Sequence, residues 1–155
     1  RACACGGHRW LIVGNVDKAV VYVDGGSRGN PGDSAFGVYA CDAEENPIVA
    51  FGGFLGTMTN NQAEYSGLLA ALEWAQSEGV QELHVWADSQ LMVRQMNGQY
   101  KVKSSNLRLL FEDARRRADR FAQFTIDHVH REGNAEADRL ANLAMDSRAS
   151  VRECP

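Results

Sequence analysis

The apolar residues of this chain fall into short continuous runs and longer stretches with helical spacing, and the two kinds alternate. Ala19-Val20-Val21-Tyr22-Val23 is the first run. It meets Asp24 and then Gly25-Gly26, and its β-branched and aromatic residues without strict alternation predict a strand buried on both faces. Residues 35–41 and 48–55 predict two more strands joined by an acidic turn at 42–47, forming an antiparallel meander with the first. Thr59-Asn60-Asn61-Gln62-Ala63-Glu64 then opens a helix whose core stripe is Leu68, Leu69, Leu72 and Ala75 and which Gly79 ends. Residues 82–87 predict a second buried strand, again stopping on an aspartate, Asp88. Helices at 89–96 and 107–120 are divided by Asn97-Gly98, a strand is predicted at 121–129, and Asn134 is placed to cap a last helix at 135–145. The order β-β-β-α-β-α-α-β-α describes one mixed α/β domain over residues 18–146. Residues 1–17 show no sustained period and are expected to form a poorly ordered tail, with a second tail at 147–155.

Composition narrows the class. With 155 residues, 45% hydrophobic and 23% charged, the chain is an ordinary globular domain rather than a disordered or fibrous one. No apolar run approaches the roughly 20 residues needed to cross a bilayer, and no charged-then-apolar leader is present, so a soluble, cytoplasmic monomer is expected. Three of the four cysteines, Cys3, Cys5 and Cys154, lie near the chain ends, which argues against a disulfide framework. Cys3, Cys5 and His8 have the spacing of half a zinc site, but no second half is visible, and a frayed tail is the simpler expectation. The net charge of −4 excludes a protein that coats nucleic acid through its overall field and leaves local contact open. Basic residues cluster at Arg115-Arg116-Arg117 with Arg120, ordinarily a solvated helix face, and at Lys101 and Lys103.

The acidic residues carry the candidate chemistry. Asp24 and Asp88 each follow a buried strand, Glu64 lies about one turn into the first long helix, and Asp138 lies in or just beyond the first turn of the last. If the strands carrying Asp24 and Asp88 are parallel neighbours, both carboxylates leave the same sheet edge, where open α/β sheets bind ligands. Four converging carboxylates raise one another's pKa, and a divalent cation relieves the repulsion. Oxygen-only ligands favour magnesium or manganese over zinc. Such a site suits phosphodiester hydrolysis with two ions about 4 Å apart. The sequence has no Gly-x-Ser-x-Gly elbow, Walker loop or Gly-x-Gly-x-x-Gly after a strand to support acyl transfer or nucleotide binding.

From about Lys18 to Met145 the chain resembles ribonuclease H of type 1. The resemblance rests on Tyr22-Val23-Asp24-Gly25-Gly26-Ser27 with Gly29-Asn30-Pro31-Gly32, on Thr59 to Glu64, on Ala87-Asp88-Ser89-Gln90, and on Asn134-Ala135-Glu136-Ala137-Asp138. It implies a ribonuclease H-like fold, a five-stranded mixed sheet flanked by helices. It also implies an endonuclease that cuts the RNA strand of an RNA/DNA hybrid with two Mg2+ ions (or Mn2+), leaving 3′-hydroxyl and 5′-phosphate ends. By the same resemblance, Asp24, Glu64, Asp88 and Asp138 are the metal-binding carboxylates, with Asp24 bridging both ions. Asn30, Asn60 and Asn61 read the minor groove and the ribose 2′-hydroxyls, Thr59 contacts a DNA phosphate, and Gln90 and Asn134 join the substrate contacts. Amides that both donate and accept suit a 2′-hydroxyl.

The chain departs from many relatives in two places. Residues 97–104 replace a basic protrusion with a short loop in which Lys101 and Lys103 are left to substitute, so salt-sensitive, modest affinity is expected. The bacterial and archaeal branch without the protrusion includes members that act on double-stranded RNA. The loop His130-Arg131-Glu132-Gly133 is several residues shorter than the loop that carries a mobile histidine in relatives, and His130 or Arg131 is left to fill that role. A histidine gives a rate that titrates near neutrality, and an arginine does not. A non-catalytic hybrid-binding module and another nuclease of the same fold, such as an integrase or exonuclease, are the alternatives. The first fits an intact carboxylate set poorly, and the second usually lacks the Asn60-Asn61 pair together with the glycine-rich loop.

Overall fold

Two periodicities build the sheet and its covering helices. The computed structural model describes residues 16–153 in full and the backbone of residues 2–5 and 8–11. Within the first 17 residues, β1 (Ala2–Cys5) and β2 (His8–Leu11) pair antiparallel as a separate two-stranded ribbon. The side chains of Cys3, Cys5 and His8 lie outside the described residues. The main sheet uses β3 (Lys18–Arg28), β4 (Gly32–Asp42), β5 (Pro47–Met58), β6 (Glu82–Ala87), β7 (Gln123–His128) and β8 (Val151–Glu153), in the order β7-β6-β3-β4-β5-β8. β3, β6 and β7 are parallel, and the other pairings are antiparallel. The expected meander and parallel strands are present, with β8 as a sixth strand where a tail was expected.

Val21 and Val23 turn the same way along β3 and are fully buried with Leu68 and Leu72 of α1 (Asn60–Ser77). α2 (Gln90–Met96) and α3 (Ser105–Ala118) extend this core through Met92, Met96, Leu107 and Ala114. Each large apolar side chain buried in this way contributes about 1.5–3 kcal/mol. Alternation along β4 sends Val38 into this core and exposes Gly37 to the opposite face, where α4 (Ala135–Ser147) lies. A Cβ on Gly37 would stand 2.1 Å from the Ala137 carbonyl oxygen, so only glycine lets α4 sit this close. Gly79 has φ +74° just past α1, the position that favours glycine after a helix.

Three boundaries differ from expectation. β3 does not end at Asp24: its pairing with β6 stops at Val23, but its pairing with β4 runs on to Arg28, so the glycine-rich loop shrinks to a turn at Gly29–Pro31. β5 likewise continues to Met58. A 3-10 turn over Arg131–Asn134 precedes α4. Three arginines of the α3 cluster pair along the helix surface: Arg116 and Arg117 pair with Asp113, and Arg115 pairs with Asp119 and donates to the Met96 carbonyl. Among the described residues no helix is long and apolar enough to cross a membrane.

Candidate active site

The register of two parallel strands sets the site. Val23 is opposite Ala87, so the next residues, Asp24 and Asp88, leave adjacent strands side by side at one sheet edge. Glu64 comes from α1, whose start is fixed by a reciprocal cap: Thr59 accepts from the Gln62 N–H and the Gln62 side chain accepts from the Thr59 N–H. The Gly25 N–H donates to Glu64 Oε1 at 2.6 Å. A Cβ on Gly25 would lie 2.2 Å from the Ala63 carbonyl oxygen, so strand and helix approach here as closely as a glycine permits. Asp24, Glu64 and Asp88 bring carboxylate oxygens within 4.8 Å of one another.

The fourth expected carboxylate lies beside Asp24, outside the group of three that converges within 4.8 Å. Asp138 on α4 lines a crevice with Asp24, and its side chain hydrogen-bonds with Asp24. Burial, the charge of Asp88 and the bond with Asp138 push Asp24 up to about 7. Glu64 is 7% exposed and is raised well above the usual carboxylate range by burial and by the charges of Asp24 and Asp88. Without a cation Asp24 is still partly protonated near neutrality, and Glu64 is displaced in the same direction. An all-oxygen donor set of this spacing, short of positive charge, fits a divalent metal ion.

The chain is similar in sequence and fold to known proteins. A family model described as reverse transcriptase-like matches residues 22–144. The bifunctional protein Rv2228c of Mycobacterium tuberculosis is 43% identical over 133 residues, 85% of this chain and 36% of that protein. Ribonuclease HI of Halobacterium salinarum is 40% identical over 125 residues, 81% of this chain and 63% of that protein. The crystal structure of RNase H1 from Halobacterium salinarum NRC-1 superposes with a TM-score of 0.82 at 38% identity, covering 84% of this chain and 98% of that one. The chain belongs to the type 1 ribonuclease H family. It spans about a third of the length of the mycobacterial relatives. LC11-RNase H1, solved in complex with an RNA/DNA hybrid, is another member of the type 1 ribonuclease H family with this fold, at TM-score 0.80 and 38% identity, covering 84% of this chain and 98% of that one.

The remaining expected contacts of this ribonuclease H domain sort into three groups. Asn30, Asn60 and Asn61 are exposed and cluster where the β3–β4 turn meets the start of α1. Asn30 Oδ1 accepts from the Asn60 N–H and Asn60 Oδ1 accepts from the Ser27 N–H, which orients both amides and leaves their NH2 groups as the free donors. Thr59 adjoins them as the helix cap. Gln90 is exposed at the start of α2, just past Asp88, while Lys101 and Lys103 are exposed on the loop before α3. His130 and Arg131 are exposed on the segment leaving β7, whose His128 pairs with Ala87, so they depart from the edge that carries Asp88.

Asn134 is the correction. It stands at the cap position but makes no capping bond, and at 1% exposure it is withdrawn from any substrate surface. Its Nδ2 donates to the Val23 carbonyl, fastening the start of α4 to the strand that carries Asp24. Gly25, expected only as flexible chain, acts as a backbone donor to Glu64. The sequence signal was a glycine directly after a strand-end acid.

Proposed function

We propose that this domain is a metal-dependent endonuclease that hydrolyses the RNA strand of RNA/DNA hybrids, leaving 3′-hydroxyl and 5′-phosphate ends. The observation that carries the reading is the convergence of Asp24, Glu64 and Asp88 within 4.8 Å, with Asp138 bonded to Asp24. In this reading Asp24, Glu64, Asp88 and Asp138 would hold two Mg2+ ions, with Mn2+ as a substitute. When bound, the ions supply a water made nucleophilic at neutral pH and neutralise charge on the scissile phosphate and the leaving oxygen. Glu64 is held by the Gly25 N–H, so its carboxylate is oriented before substrate arrives. The amides of Asn30, Asn60 and Asn61 recognise the ribose 2′-hydroxyls, which confers strand selectivity without base sequence. Thr59, Gln90, Lys101 and Lys103 hold the backbone, and His130 or Arg131 assists departure of the 3′-oxygen or of the product. The domain works as a monomer.

That LC11-RNase H1 was solved in complex with an RNA/DNA hybrid supports the substrate. A labelled RNA/DNA hybrid incubated with the protein and Mg2+ yields 5′-phosphorylated RNA fragments; no cleavage by the wild type across Mg2+, Mn2+ and salt series sinks the proposal. Parallel arms with double-stranded RNA and double-stranded DNA define the substrate range.

A further inference from the structure

α4 is pressed onto the sheet at one residue and tied to it at another, and both lie beside Asp24. Gly37, the cross-strand partner of Asp24, receives the helix at Ala137 and Ala141. A Cβ there would stand 2.1 Å from the Ala137 carbonyl oxygen and 2.7 Å from the Ala141 nitrogen. This contact limits how near α4 lies to the strands but not where it stands along its own axis. The tie is Asn134, whose Nδ2 donates at 2.8 Å to the carbonyl of Val23, the residue before Asp24. Asp138 follows Asn134 by about one helical turn, roughly 6 Å along the axis. Asn134 with Val23 and Asp138 with Asp24 therefore form two successive rungs between α4 and β3, the second being the hydrogen bond between the two carboxyl side chains.

Neither helix capping nor stability accounts for the first rung. Asn134 holds the cap position of α4, yet its side chain makes no capping bond. It is 1% exposed, and its Oδ1 has no hydrogen-bond partner among the described residues. A buried acceptor left unpaired offsets much of what the Nδ2 bond returns. What the bond does supply is register, because a short directional contact fixes the first turn of α4 against the residue that precedes Asp24. The outer straps of α4, Arg28–Asp146, Arg139–Glu153 and Arg148–Asp33, are exposed pairs between long side chains and hold it less exactly.

We infer that Asn134 is a positioning residue of the carboxylate site: it sets the reach of Asp138 toward Asp24, and with it the affinity of the site for a divalent cation, while touching neither metal nor substrate. The inference rests on the reading that Asp24, Glu64, Asp88 and Asp138 hold such a cation. Without the amide, α4 still packs on Gly37 but takes a range of axial positions. Apparent cation affinity then falls by the fraction of molecules in which Asp138 is in place.

Magnesium titration without nucleic acid, read by calorimetry and by the rise in melting temperature, tests this. The proteins are the wild type, Asn134→Leu, which keeps much of the side chain's bulk without its donor, and Asn134→Ala, which serves if the leucine is not accommodated. Arg139→Ala is the control, since it cuts an outer strap of α4 and leaves the inner tie intact. The expected result is a Mg2+ dissociation constant raised about tenfold or more in the Asn134 variants and less than about twofold in Arg139→Ala. In hybrid cleavage, the Mg2+ concentration for half-maximal rate should rise by the same factor, with KM for the hybrid unchanged and kcat recovering at saturating Mg2+. A purely structural role lowers the metal-free melting temperature and leaves Mg2+ affinity where it was. Unchanged Mg2+ affinity in the Asn134 variants, or equal weakening by Arg139→Ala, overturns the inference while the metal-site reading stands. A wild type that binds no Mg2+ overturns both.

Discussion

Asp24, Glu64 and Asp88 issue from β3, α1 and β6, whose inward faces share one continuous core around Val21, Leu68, Leu72 and Val85. Asp138 stands on different footing. α4 buries Ala137, Leu140, Ala141 and Ala144 against the sheet, but around its C-terminal end the cluster is small: Ala35, Ala144 and Met145, with Phe54 and Val151 packed against them. Its outer side is strapped by exposed ion pairs, Arg28–Asp146, Arg148–Asp33 and Arg139–Glu153. Such pairs contribute about 0–1 kcal/mol each, against the larger return of a closed apolar core. The site therefore has a three-carboxylate half set in the main core and a fourth carboxylate on an element that opens more readily.

The largest effect that would sharpen this contrast is in activity. Asp88→Asn should lower hybrid cleavage by about 100-fold or more, since even groups that only support metal ligands cost about 10–100-fold when removed. Circular dichroism should show the fold intact. Asp138→Asn should retain more activity than Asp88→Asn at high Mg2+; equal losses would break the distinction between the halves. Next in size is Gly25→Ala, which forces a methyl group to within 2.2 Å of a backbone oxygen and should destabilise toward the upper end of the about 1–3 kcal/mol typical of overpacking, read by urea melts.

Smaller still is the pH response of the metal-free protein. Asp24 and Glu64 have folded pKa values above their unfolded ones, so the folded state binds more protons; for Asp24 the window runs from 3.8 to about 7. Stability from these groups is full below the unfolded value and is lost as pH rises through the folded one, each carboxyl contributing a slope of at most about 1.4 kcal/mol per pH unit. Melting temperature should fall across that window and recover on adding Mg2+; a pH-independent melt would refute the crowding of these acids. Native-state hydrogen exchange should show α4 and β8 exchanging before β3, β6 and α1. The smallest change is expected from Lys101→Ala with Lys103→Ala: a several-fold rise in KM, unchanged kcat, and a salt slope shallower by about 1 per lysine.

The three-carboxylate half was legible in the sequence because its signals are local and strong. A β-branched run stopping on an acid marks Asp24, a short strand-like segment stopping on an acid marks Asp88, and a capped helix with a leucine stripe marks the element of Glu64. What was missed depends on partners distant in sequence. β8 is three residues, Val-Arg-Glu, with no period of its own; its pairing with β5 and the Arg139–Glu153 bridge make it a strand. The continuation of β3 past Gly25-Gly26 is decided by β4 across the hairpin. Asn134 has the residue type and place of a cap, yet the buried Val23 carbonyl, 111 residues earlier, claims its side chain. The arginine run on α3 was expected to be a solvated helix face, and the aspartates one turn away pair with three of its members.

The pairing of Val23 with Ala87 makes the spacing of the carboxylate cluster a discrete quantity. Strands slide in steps of about 3.3 Å, and each single step also exchanges the two faces. The Gly79–Gln81 connection between α1 and β6 works as a length standard: one residue gained or lost there would carry Asp88 to the wrong side of the sheet if the slip passed into β6. Variation in chain length should be absorbed in the β4–β5 turn or the α2–α3 loop, and a library of single-residue insertions scored for cleavage would map that tolerance directly.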